Sequence, residues 1–156
     1  MKSDVFKFGL IGFAAVILQV AIFNHLGYRS IRADFPLLIL IWVITTQSRT
    51  TSLLFAGYVG IMTDFFHDLW GLHLLSKTVT TLLVYRFVPR IEETRLFFTQ
   101  VFILLIVISM VHNLFFLISA VFTQMYQAEH VFFEILIGSS LLTAAFGSII
   151  YLLREN

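Results

Sequence analysis

The sequence predicts an all-α protein, a six-helix transmembrane bundle forming one integral membrane domain over residues 1–156. Three observations lead there. The chain is 59% hydrophobic and 12% charged, against about 45–50% and about 25% for a soluble domain. Its mean hydropathy is +0.94. Apolar runs at about 6–23, 35–46, 52–66, 72–88, 96–122 and 131–153 are joined by short polar connections, which leaves no length for a separate soluble domain. There is no cysteine, so disulfides, thiolate metal sites and cysteine nucleophiles are excluded. No basic block is present to bind a nucleic-acid backbone.

Each helix has its own signals. The first run carries Lys2 and Lys7 at its start; no small-residue cleavage site follows, so it reads as an uncleaved first span rather than a signal peptide. Gln19 reads as an uneventful polar residue facing protein. The connection 24–34 contains Arg29, Arg32 and Asp34, and Pro36 opens the second helix, where its missing N–H is harmless. That helix has about a dozen apolar residues, a length typical of a re-entrant or interfacial segment. Helices three and four form a hairpin around His67, Asp68, Leu69, Trp70 and Gly71, and Pro89 stops the fourth. The stretch 86–95 is the most charged in the chain. Helix five is the longest apolar run, interrupted by Gln100, His112 and Asn113. A polar loop at 123–130 leads to helix six, whose Gly, Ala and Ser residues suit close helix packing in lipid.

With the N-terminus inside, Lys2, Lys7, Arg49, Arg86, Arg90, Arg95 and Arg154 fall on the cytoplasmic side, against Arg29 and Arg32 outside. This positive-inside bias places both termini in the cytoplasm.

Ionisable side chains inside apolar helices are functional or pairing candidates by default. Asp64, Lys77, His112, Asn113 and Glu134 fall in one outer depth band. Lys77 and Glu134 are also long enough to reach the headgroups. Asp64 is shorter and deeper, so it is expected to face protein and pair with Lys77 across the hairpin. Asp64, Asp68, His67 and His73 are too sparse for a hard-ion site, and no metal or cofactor is expected. The serines lack a neighbouring base in any nucleophile motif. Gly57 and Gly60 share a helix face with Asp64, which suits either close packing or a groove for another protein's helix. Gly71 lets the backbone turn.

The segment GYVGIMTDFFHDLWGLHLLS, residues 57–76, resembles the rod shape-determining protein MreD family: a Gly-bearing helix, an Asp, a short corner and a Gly-hydrophobic-His run. Gly60, Asp64 and Gly71 match residue by residue, with His73 beside them. Ala56 stands where family members carry the earlier glycine, followed here by Gly57, and the usual Pro-Asp before helix two is Asp34-x-Pro36. The specific match covers about a quarter of the chain. The resemblance implies a non-enzymatic scaffold subunit of the bacterial cell-wall elongation machinery, in the bacterial inner membrane and without cofactors. It would bind MreC and work beside RodA, its penicillin-binding transpeptidase and cytoplasmic MreB in maintaining cell shape. It further implies a fold like the substrate-binding S-components of energy-coupling-factor vitamin transporters, which supplies the alternative function.

Overall fold

A computed structural model describes residues 2–90, 96–123 and 129–155, those at 2–6, 129 and 155 by backbone alone. Six helices account for most of these. Helix α1 (Lys2–Leu18) runs on through a π-helical turn (Gln19–Phe23), followed by α2 (Phe35–Thr46), α3 (Arg49–His67), α4 (Leu72–Val84) and α5 (Phe98–Phe122). The last helix, α6, is continuous over Glu129–Phe133, a π-helical stretch Glu134–Ser139, and Ser140–Glu155. No strand occurs among the described residues; Tyr28 and Ile31 form an isolated bridge. Part of the charged stretch at 86–95 (91–95, with Glu92, Glu93 and Arg95) and most of the polar loop at 123–130 (124–128) lie outside the described residues.

The helix ends follow from local chemistry. The Leu37 N–H donates to Asp34 Oδ1 at 2.8 Å, capping α2, with Pro36 in the first turn. Ser48 caps α3 by accepting from the Thr51 N–H. Asp68, at φ 55°, ends α3, and Gly71, at φ 82°, starts α4, so the hairpin turns through two left-handed residues within four positions.

Helix α4 packs between α3 and α5, α6 lies along α5, and α1 and α2 lie against α3. The core centres on α2. Leu37, Leu40 and Val43 are sealed there, against Val16 of α1, Ala56 and Val59 of α3, Ile108 of α5 and Ala144 of α6. A helix this apolar suits the core, and α2 is covered on all but the stripe Phe35, Ile39, Trp42 and Thr46, which is partly exposed. The segment whose length resembles a re-entrant piece is a full helix at the centre of the protein, about 18 Å long.

The outside is also apolar. Leu54, Phe65, Trp70, Phe87, Phe122 and Leu153 all project outward. Two segments, Phe98–Phe122 and His130–Arg154, are long and apolar enough to cross a membrane. Gly60 sets the closest helix approach. A Cβ there would lie 2.5 Å from Leu74 Cα and 3.0 Å from the His73 carbonyl oxygen, so α3 and α4 touch backbone to backbone.

Candidate functional site: a buried ion pair beneath a small polar cavity

Asp34 ends the α1–α2 connection with one carboxylate oxygen committed to its own helix and the other free to turn inward. Lys77 reaches that oxygen from α4. Its Nζ donates to Asp34 Oδ2 at 2.7 Å, and the lysine side chain is fully buried. His112 of α5 brings its Nε2 to the same oxygen at 3.2 Å. One carboxylate thus ties α2, α4 and α5 together.

Above this pair is a cavity of about 230 Å³, bordered by Asn24, Arg29, Arg32, His67, His73 and Asn113. The His73 ring stacks on Phe116 with centroids 4.7 Å apart and lies 6.2 Å from His112. Its Nδ1 is buried without a hydrogen-bond partner. His67 is fully used: Nε2 accepts from Asn24 Nδ2 at 2.9 Å, and Nδ1 donates to the Thr63 carbonyl at 2.8 Å.

Asp64 is buried and faces protein, as expected, but its partner is not Lys77. Its two oxygens accept from the backbone N–H groups of His73 at 2.8 Å and Leu74 at 2.9 Å. These are amides of the first turn of α4, which have no partner within the helix. Asp64 is therefore an N-cap supplied from the neighbouring helix, and Lys77, a turn further along α4, is left for Asp34. The negative charge at a helix N-terminus is further favoured by the helix dipole.

The predicted polar band divides into separate contacts. Lys77 and His112 meet at Asp34. Asn113 turns to α6, where its Nδ2 donates to the Ile135 carbonyl at 3.0 Å and to Ser140 Oγ at 2.9 Å. The carbonyl lies in the π-helical stretch, where the regular ladder is displaced. Glu134 holds the α1–α2 connection, accepting from the Ser30 N–H at 3.3 Å with Arg29 Nη1 at 3.6 Å. Asp68 is exposed at the end of α3. Gly57 has only Leu74 Cδ1 near its missing Cβ, at 3.8 Å. Gly60, which could have lined a groove for a partner, is filled by α4.

Two residues that sequence reasoning passed over carry much of the site. Asp34 is one; the signal was an isolated lysine within an apolar helix, which needs a carboxylate at its own depth. Gln19 is the other, and it is not uneventful. Its Nε2 donates to the Ala33 carbonyl and its Oε1 accepts from the Phe35 N–H, both at 2.9 Å. A π-helical turn at Gln19 and another at Glu134 flank the cavity, and neither has a sequence signature here.

No protein family, curated protein or solved structure matches this chain. The site must be read from its chemistry.

Asp34, His73 and His112 place one donor atom each within 4.8 Å of one another, the donor types of a transition-metal site. Lys77 decides against it. Its Nζ already holds the inward Asp34 oxygen, at 2.7 Å, that such a set would need. The lysine is the cation of this site. The ion pair fastens three helices, and the cavity above it is a polar recess with no assembled nucleophile and base among the described residues.

Proposed function

We propose that this chain is a six-span membrane protein, with both termini at its basic, cytoplasmic end. It acts as a non-enzymatic scaffold of the bacterial cell-wall elongation machinery, binding MreC beside RodA, its transpeptidase and MreB. The observation that carries the reading is the use made of the motif at 57–76. Gly60 admits the α4 backbone, Asp64 caps α4, and Gly71 takes the left-handed turn. All three matched residues serve to build a rigid hairpin, which is what a scaffold requires. On the exposed face of that hairpin, Phe65 and Trp70 are 77% and 94% exposed and offer apolar anchors to a membrane-embedded partner.

The vitamin-transporter reading is favoured by the polar recess over Asp34. Its volume of about 230 Å³ falls below the ~300–1,000 Å³ usual for small-molecule sites, which supports the scaffold. Depleting the protein in a rod-shaped host tests the choice. Rounded cells are expected, restored by the parent chain and not by a Gly60→Leu variant. Cells that remain rods while uptake of a vitamin fails would overturn the proposal.

A further inference from the structure

A second recess, distinct from the cavity over the ion pair, runs between α2 on one side and α5 and α6 on the other. Its volume is about 1,000 Å³, and Leu38, Trp42, Leu104, Leu105 and Ile150 are among the apolar residues of its wall. Its polar groups are nearly all satisfied within the protein. The Thr45 hydroxyl donates to the Trp42 carbonyl at 2.7 Å, and the Tyr151 hydroxyl donates to the Leu96 carbonyl at 2.9 Å. The exceptions are the Trp42 indole N–H and Arg154, which is exposed in the last turn of α6; neither has a hydrogen-bond partner among the described residues.

An apolar trough ending in one unpaired guanidinium is complementary to a hydrocarbon chain ending in an anion. The groove follows α2 for about 15 Å, from Phe35 to Thr45. Arg49 and Arg86 are exposed at the same end of the molecule as Arg154. Basic pockets between membrane helices on the cytoplasmic side suit acidic lipid head groups.

We infer that the groove between α2, α5 and α6 holds the acyl chain of an anionic phospholipid, with its head group on Arg154. The inference rests on the membrane placement proposed above and is independent of the scaffold assignment.

Trp42 in the groove wall supplies the probe, since the chain has two tryptophans and the other is Trp70. A full-length Trp70→Phe protein is reconstituted in vesicles of phosphatidylcholine, with increasing mole fractions of brominated phosphatidylglycerol or brominated phosphatidylcholine. Trp42 is expected to be quenched at about fivefold lower mole fraction by the anionic lipid, the preference expected of one basic residue near the surface. Arg154→Gln removes that preference and Arg154→Lys keeps it. Arg49→Gln, at the same end but outside the groove, leaves it unchanged. Equal quenching by the two lipids, or a preference that survives Arg154→Gln, overturns the groove assignment alone. Quenching by neither lipid overturns the membrane placement as well.

Discussion

The ion pair between Asp34 and Lys77 makes a sharp prediction, because the Lys77 side chain is fully buried against the Asp34 carboxylate. At 2.7 Å and an effective dielectric of about 20, the gross attraction is ~6 kcal/mol, most of which offsets desolvation. Removing one partner leaves an uncompensated charge, which costs about 3–5 kcal/mol. Lys77→Met should therefore destabilise by about that amount, and so should Asp34→Asn, which retains a side-chain oxygen to cap α2. The double variant removes both charges and keeps the volume, so it should be more stable than either single variant. Unfolding in mixed micelles, followed by helicity and tryptophan fluorescence, measures all four proteins. A Lys77→Met protein within ~0.5 kcal/mol of the parent would refute the pairing. So would a double variant whose loss equals the sum of the single losses, since paired residues do not add.

Three further outcomes are expected. Gly60→Ala forces a Cβ against the Leu74 backbone and should cost about 1–3 kcal/mol in the same unfolding assay, whereas Gly57→Ala, with 3.8 Å of room, should be nearly neutral. Asp64→Ala uncaps two amides of α4 and should cost about 1–2 kcal/mol, with hydrogen exchange rising at His73 and Leu74 before it rises elsewhere in α4. Asn113→Leu strands the Ile135 carbonyl and should cost about 1–3 kcal/mol, with faster exchange confined to the π-helical part of α6.

The helical class and most helix positions were legible because they depend on local signals, although α4 ends at Val84 and does not run on to a stop at Pro89. Asp34 with Pro36 marks the start of α2, and Gly71 marks the start of α4 at Leu72. The close approach at Gly60 and the inward direction of Asp64 also follow from a shared helix face. What sequence could not supply was the neighbour. Asp64 and Asp34 are both short carboxylates within reach of the depth of Lys77, and proximity along the chain favours Asp64. The structure chooses Asp34, 43 residues away, because the first turn of α4 already occupies Asp64. The same limit applies to Asn113 and Glu134. Their places on α5 and α6 were readable, but their partners at Ile135 and Ser30 depend on how α5, α6 and the α1–α2 connection are arranged. The central position of α2 was hidden as well, since twelve apolar residues suit a short interfacial piece and a sealed core helix equally.

The central claim, that the hairpin at 57–76 belongs to a membrane scaffold, is tested most directly by purifying the full chain from its native membranes in mild detergent. Proteins and small molecules that remain bound would be identified by mass spectrometry. The account predicts recovery of MreC, with RodA or its transpeptidase, and loss of that recovery when Phe65 and Trp70 are both replaced by Ser. Recovery of a transporter ATPase and coupling subunit with a bound metabolite would contradict it, and would make the recess over Asp34 a substrate site.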